Sequence, residues 1–416
     1  MAEPSSARLE LLYRISQTIN SSLDLDVVME SLMDEVIFAT RAERGFLMLY
    51  DEIKQLTFRT ARGMNQQDIE ESEFKISRGI VERVAKEATP LLTSNAQLDQ
   101  RFTTRASVKL YGLCSVLCVP IIQKGETLGV IYVDNRFQNG IFIQGDLELL
   151  TSIASSAGIA IDNARLYHIA VEKGRMEREL QMAREVQVSL IPPSTPNIPG
   201  WDFAACWKPA HEVSGDFYDF IPISDERMGI VVADVSDKGM PAALFMTLSR
   251  SVIRSVAGQN SRLDEEITKI NHLIWRDSRE GMFITLVYAV MKPNSGEVTY
   301  VNAGHNPPLV LRSAGKVLET LNRTGMAVGV EGDSRYEQGT LTLAEGDYLV
   351  MFTDGVTDAQ IGDAPFGEER LKATIRKYGG LSAQGMVDGL EKELCDFSGN
   401  GVPVDDVTLL IARKTA

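Results

Sequence analysis

The stretch from Gly229 to Leu244 constrains this chain most. An apolar run, Gly-Ile-Val-Val-Ala, breaks at Asp234-Val235-Ser236-Asp237-Lys238-Gly239, and Met240-Pro241-Ala242-Ala243-Leu244 follows. The run reads as a buried strand, ended by an acidic, glycine-containing turn. Pro241 suits a first helical turn, where its missing N–H would have no partner anyway. Asp234 therefore stands at the mouth of a strand, where a carboxylate can face a ligand instead of the core.

Three more stretches repeat this acidic strand end: Ser214-Gly215-Asp216-Phe217-Tyr218-Asp219, Phe352-Thr353-Asp354-Gly355-Val356-Thr357-Asp358 and Val404-Asp405-Asp406-Val407-Thr408. Any one of them could be an ordinary aspartate turn. Together they suggest a metal site, because gathered carboxylates repel one another unless a cation neutralises them. Hard oxygen donors without His or Cys suit Mg²⁺ or Mn²⁺, not zinc. Cys114, Cys118, Cys206 and Cys395 have no zinc-type spacing with His. The first two lie in an apolar run as small core hydrophobes, which fits a reducing compartment.

A length of 416 residues suggests two or three domains. The net charge of −15 argues against a nucleic-acid or anionic-membrane partner, since phosphates demand clustered Lys and Arg. No apolar run approaches the ~20 residues of a membrane span. Met1-Ala2-Glu3-Pro4 lacks the basic start and apolar run of a signal peptide. The expectation is a cytoplasmic protein.

Apolar residues at helical spacing predict helix from about Ser6 to Thr40. Gly45–Tyr50 and Leu56–Thr60 read as a hairpin around an Asp51-Glu52 turn, and Gly79–Ala85 as a short helix. Ser115–Ile122 and Thr127–Val133 form a second hairpin around Gln123-Lys124-Gly125-Glu126. The Leu-Asp-Leu-Asp-Val-Val-Met-Glu helix, the Gly-Ile-Val-Glu-Arg-Val segment and Val-Pro-Ile-Ile with Leu-Gly-Val-Ile-Tyr-Val-Asp-Asn resemble a GAF sensory domain over residues 1–165. The resemblance implies a pocket behind the sheet for a small-molecule input. Asn135, Arg136, Phe142 and Asp146 are similar to part of the set that binds cyclic nucleotides, but Leu147 stands where its terminal Glu would be. A ligand-free or dimerisation-only domain is the favoured alternative.

From Asp146 to Ile191 the chain reads as one helix. Leu150, Ile153, Ala157, Ala160, Ala164, Tyr167 and Val171 alternate spacings of three and four, a coiled-coil seam that predicts a homodimer through the GAF domain and this linker. The phase breaks near Gly174 and resumes with Met176, Leu180, Ala183 and Leu190, with polar Gln187 on the same seam. Either this is a mechanical joint or the helix packs on two different surfaces. Ile191-Pro192-Pro193-Ser194 ends it.

Residues 192–416 turn to short strands with turn punctuation. Thr285–Met291 and Glu297–Asn302 form a hairpin, Pro308–Arg312 and Val317–Thr320 flank Ser313-Ala314-Gly315-Lys316, and Tyr348–Thr353 and Val407–Ala412 look central. Helices are expected around Ala242–Ala257, Leu263–Arg276 and Gln384–Phe397. The predicted class is α+β, with two packed sheets and flanking helices, an αββα sandwich.

This half resembles the metal-dependent PP2C-like (PPM) serine/threonine phosphatases, in the branch of the bacterial sporulation stage II protein E and the stressosome-controlled sigma-factor regulators. The markers, in family order, begin with Glu179–Gln187 and Leu190-Ile191-Pro192. The aspartate stretches at 214–219, 234–243, 353–358 and 405–408 follow, with Tyr300-Val301-Asn302-Ala303-Gly304-His305-Asn306-Pro307-Pro308 among them. The resemblance implies two divalent cations, Mn²⁺ or Mg²⁺, which activate a water for attack on a phosphoprotein. Asp234 would bridge them, the Val235 carbonyl would bind one, Asp216 would bind one, and Asp354 with Asp405 the other. Asp406 would stand behind the ligands, Asp219 would be structural, and Gly215 and Gly355 would let backbone approach the ions. The implied substrate is an anti-sigma-factor antagonist.

Ser214, Asp237-Lys238 and Asp358 depart from the family pattern without removing a ligand. His305 is expected to be buried and structural, and the general acid is unassigned, a role that water on a metal could fill. The rival reading is a catalytically silent scaffold, which retention of the acidic set opposes. A nucleotide cyclase or phosphodiesterase is opposed by the motif order and by the lack of His-Asp clusters.

Overall fold

The structure, a computed structural model, describes residues 4–19, 22–51, 53–64, 67, 69, 76–96, 99, 113–260, 262–278, 281–313, 317–362, 364–399 and 404–415. Glu52 and residues 314–316, assigned above to turns, lie outside the described residues. The chain divides into two compact units, Met1–Arg175 and Met176–Ala416.

In the first unit the stretch expected to be one helix is two, α1 (Pro4–Ile19) and α2 (Leu25–Thr40). Asp24 accounts for the restart: its carboxylate accepts hydrogen bonds from the N–H groups of Asp26 and Val27, capping α2. Strands β1 (Arg44–Tyr50), β2 (Leu56–Gly63), β3 (Leu91–Thr93), β4 (Ser115–Gln123) and β5 (Glu126–Asn135) make an antiparallel sheet in the order β2-β1-β5-β4-β3. Both expected hairpins form. Lys124 (φ 51°) and Gly125 (φ 84°) supply the two left-handed residues of the β4–β5 turn. Strand alternation divides the sheet's side chains: Phe46, Met48 and Tyr132 pack with helix α3 (Arg78–Glu87), and Leu47, Leu49, Ile131 and Val133 pack with α1, α2 and the next helix.

That helix, α4 (Gln144–Leu190), runs 47 residues without interruption. Leu150, Ile153, Ala157 and Ala160 are buried against the sheet of their own unit, so this part of the seam is not free for a partner helix. Tyr167, Val171 and Met176 are exposed, and Gln187 is buried again. The helix thus packs on two surfaces, the second of the alternatives above. It also passes through Gly174, where an added Cβ would meet no atom within 4 Å.

Besides a small two-stranded sheet, β15 (Gln360–Ile361) with β16 (Ala364–Pro365), the second unit has two five-stranded sheets. One contains β7 (Phe217–Ser224), β8 (Arg227–Val235), β9 (Ile284–Lys292), β10 (Glu297–Ala303) and β13 (Gly339–Thr342), in the order β13-β10-β9-β8-β7. The other contains β6 (Trp201–Lys208), β11 (Leu309–Leu311), β12 (Leu318–Thr320), β14 (Tyr348–Phe352) and β17 (Val407–Lys414), in the order β12-β11-β14-β17-β6. Phe203, Leu349, Met351 and Leu410 of the second sheet share a core with Ile230, Val232 and Val287 of the first and with helices α5 (Met240–Val256) and α6 (Leu263–Asp277). On its other face Val350, Phe352, Leu409 and Ile411 meet α8 (Gly367–Tyr378) and α9 (Ala383–Ser398). The layers are helix, sheet, sheet, helix, as expected. Strands β6 and β13 and helix α8 were not anticipated. Among the described residues no helix is long and apolar enough to cross a membrane.

Candidate active site

The four acidic strand ends meet at one end of the sandwich. Asp216 directly precedes β7, and Asp234 is the penultimate residue of β8, which is antiparallel to β7. Asp354 opens the short helix α7 (Asp354–Thr357) just after β14, and Asp405 lies just before β17, which is antiparallel to β14. Antiparallel pairing brings an exit and an entrance together in each sheet, and face-to-face packing brings the two pairs together.

Their electrostatics show the crowding. Burial first, then the charges of Asp354 and Asp405, push Asp234 up to about 7. Burial and the neighbouring Asp234 raise Asp216 well above the carboxylate range, and burial with Asp405 raises Asp354. Asp216 is held by hydroxyls: its Oδ2 accepts from Thr353 Oγ1 at 2.6 Å and Thr408 Oγ1 at 2.8 Å. This leaves Oδ1 for another donor or a cation. Among the described residues, no three acidic, His or Cys side chains sit closely enough as placed to grip a single ion. The acidic set therefore converges without closing into a cage. Its chemistry, hard oxygens with raised proton affinity, fits a divalent ion of the Mg²⁺ or Mn²⁺ kind.

The residues behind the set have specific tasks. Asp406 accepts from the N–H groups of Ala210 (2.8 Å) and Gly215 (3.0 Å) and from Ser214 Oγ (2.7 Å), so it staples the loop that leads into Asp216. Ser214 in turn accepts from the Asp216 N–H at 3.0 Å, which gives this departure from the family pattern a bonding role. A Cβ on Gly355 would collide with the Asp406 carbonyl oxygen, and one on Gly215 would come 3.2 Å from the Val235 oxygen. Both glycines thus allow backbone segments to approach each other. Val235 ends β8 opposite Ile284.

Asp219 is buried and ion-paired to Arg254 (2.6 Å) and Arg250 (3.1 Å) on α5, in the structural role expected for it. Ser236 accepts from the Phe283 N–H and donates its own N–H to the Phe283 carbonyl, extending the pairing of β8 with β9. His305 is buried, with Nε2 3.1 Å from the Phe352 carbonyl and Nδ1 2.7 Å from Thr285 Oγ1. Facing a carbonyl, Nε2 must carry the proton, so Nδ1 accepts from the threonine. Burial lowers its pKa to about 4, and the neutral ring pins one sheet to the other.

Three features were missed from sequence. Thr353 and Thr408 hold Asp216, and nothing in their spacing distinguishes them from ordinary strand threonines. Gln187 donates from Nε2 to the Ser214 carbonyl (2.8 Å) and accepts from the Ser214 N–H (3.0 Å). Its only signal was a polar residue on an apolar seam. Lys238 forms an ion pair with Asp405 at 2.8 Å. In the first unit, Asn135 caps the N–H groups of Phe137 and Gln138, Arg136 pairs with Glu43, and Asp146 accepts from Ile143 N–H. These polar groups are spent within the domain, which weighs against the cyclic-nucleotide resemblance.

Residues 24–161 match the family model of the GAF domain, and residues 224–415 that of stage II sporulation protein E (SpoIIE). The chain therefore carries a GAF domain followed by a domain that matches SpoIIE. It is similar to protein IcfG of Synechocystis sp., 31% identical over 59% of this chain and 43% of that protein. It is also similar to phosphoserine phosphatase RsbU of Bacillus subtilis, 29% identical over 58% of this chain and 71% of that protein. The chain thus spans less than half the length of IcfG. Its fold is similar to the SiaA-PP2C domain of Pseudomonas aeruginosa, with a TM-score of 0.52 at 20% identity over 59% of this chain and 98% of that domain.

Proposed function

We propose that the second unit removes phosphate from serine or threonine of a signalling protein in the cytoplasm, under control of the GAF domain. The observation that carries this is the convergence of Asp216, Asp234, Asp354 and Asp405 at one end of the sandwich, where each of the first three has its proton affinity raised. We assign Asp234 as the carboxylate shared by two divalent ions, with the Val235 carbonyl and Asp216 on one and Asp354 with Asp405 on the other. Bound there, the ions would activate a water and draw charge from the phosphoryl oxygens. Thr353 and Thr408 fix one oxygen of Asp216 and so orient the other. Asp406 holds the Ser214–Gly215 backbone that carries Asp216.

The substrate we propose is the phosphorylated antagonist of an anti-sigma factor; that the similar protein RsbU is named a phosphoserine phosphatase supports a phosphoserine target. The exposed apolar residues Leu166, Tyr167, Ile169 and Val171 of α4 support pairing with a second copy. Gln187 supports control through α4, since that helix holds the loop before Asp216.

The test is hydrolysis of a phosphoserine peptide by the full chain with Mn²⁺, beside Asp234→Asn and Asp354→Asn. Turnover that needs Mn²⁺ and falls at least about a hundredfold in each variant is expected, as for loss of a group that stabilises the transition state. Mn²⁺ binding with turnover unchanged in both variants would overturn the assignment. No turnover and no Mn²⁺ binding would favour the silent scaffold.

A further inference from the structure

Lys238 lies in the turn that follows the predicted bridging aspartate. Its Nζ is 2.8 Å from Asp405 Oδ2. Among the described residues, no other ion pair reaches Asp216, Asp234, Asp354 or Asp405. The turn is built to present this side chain. Asp237 before it has φ 80° and Gly239 after it φ 76°, two left-handed residues within three positions. Asp237 is not a glycine, so its conformation carries a steric cost. Its Oδ1 offsets part of that cost by accepting the Lys238 N–H at 2.9 Å. The Lys238 ammonium also raises no packing demand, being 57% exposed beside an Asp405 that is 36% exposed. It can therefore leave without disturbing the core.

An ammonium and a divalent ion compete for the same carboxylate oxygen, and a positive charge held nearby also repels an arriving cation. We propose that Lys238 is a tethered cation that occupies Asp405 when no ion is bound, so that the ion assigned to Asp354 and Asp405 loads by displacing it. The lysine then sets the metal concentration at which that position fills. The position held by Asp216 has no such competitor and fills first. This rests on the metal assignment under Proposed function and adds to it an order of loading and a residue that determines it.

Isothermal titration of the full-length, chelator-stripped protein with MnCl₂ tests this, beside Lys238→Met and Lys238→Arg. Two binding steps are expected in the wild type. In Lys238→Met the weaker step should tighten roughly threefold to tenfold, a modest factor because the pair is solvent-screened. The stronger step should be unchanged. Lys238→Arg, which keeps the charge, should stay within about twofold of the wild type. A weaker step that is unchanged or loosened in Lys238→Met would overturn the proposal, and so would equal tightening in Lys238→Arg, which would trace the effect to the turn's shape. Absence of Mn²⁺ binding in the wild type and all variants would instead overturn the metal assignment itself, and this proposal with it. Thermal melting of the metal-free proteins is an independent readout. Lys238→Met should melt lower than the wild type without Mn²⁺ and gain more from saturating Mn²⁺.

Discussion

His305 illustrates how a residue that looks catalytic in a motif is spent on structure. Its ring is neutral because burial lowers its pKa to about 4, and its two nitrogens tie Thr285 on one sheet to Phe352 on the other. In the unfolded chain the imidazole titrates near 6.5, so between about pH 6.5 and 4 the unfolded state binds the proton more tightly. The stability contributed by the neutral ring is therefore complete above about pH 6.5 and is lost as pH falls towards 4, by about 3 kcal/mol. Urea unfolding at a series of pH values should show this slope, and His305→Asn should flatten it. Gly355 is the opposite kind of residue, defined by what it lacks. Gly355→Ala would push a methyl into the Asp406 carbonyl, separating α7 from the Asp405–Asp406 backbone. A loss of about 2–3 kcal/mol is expected from this overpacking. Wild-type melting behaviour in Gly355→Ala would show that the backbone yields more easily than argued.

At the scale of elements, α4 is the part whose two ends do different work. Its first turns complete the core of the first unit through Leu150, Ile153 and Ala157. Its last turns place Gln187 on both polar groups of the Ser214 backbone, two residues from Asp216. Gln187→Ala would leave the buried Ser214 N–H and C=O without these partners, costing about 1–3 kcal/mol. The larger effect should be on catalysis: turnover of a phosphoserine peptide should fall while Asp216, no longer backed by a fixed loop, binds Mn²⁺ more weakly. If Gln187→Ala destabilised the protein but left Mn²⁺ affinity and turnover intact, α4 would be a support and not a control element. A parallel logic holds for α5. Arg250 and Arg254 on it clamp Asp219 of β7, so the strand following Asp216 is fixed from a second helix.

For the whole molecule, each unit has its own cores. Residues of β1–β5 with α1–α3 and the first turns of α4 make one set, and the two sheets with α5, α6, α8 and α9 make the other. Domains with separate cores unfold separately unless a large interface couples them. Calorimetry of the full chain should therefore resolve two transitions, and Mn²⁺ should raise the temperature of only the one that contains the aspartates, by mass action. A single transition that shifts as a whole with Mn²⁺ would show that the cores unfold as one.

The sequence by itself determined the order of elements, the two resemblances and the acidic set. These are local signals: an apolar run ending in Asp and Gly, a two-residue hairpin turn, a helical repeat. Helix α8, with its sparse apolar face, and the short strand β13 lacked such signals and were missed. The seam of α4 was legible as apolar but not as to partner, because a 3-4 spacing looks the same against a second helix or against the protein's own sheet. Only the tertiary structure decided that Leu150 to Ala160 face the home sheet, that His305 is a pin between sheets, and that Gln187, Thr353, Thr408 and Lys238 attend the aspartates. Those roles depend on residues far apart in the chain meeting in space, and such a meeting is set by packing, which leaves no mark in local spacing.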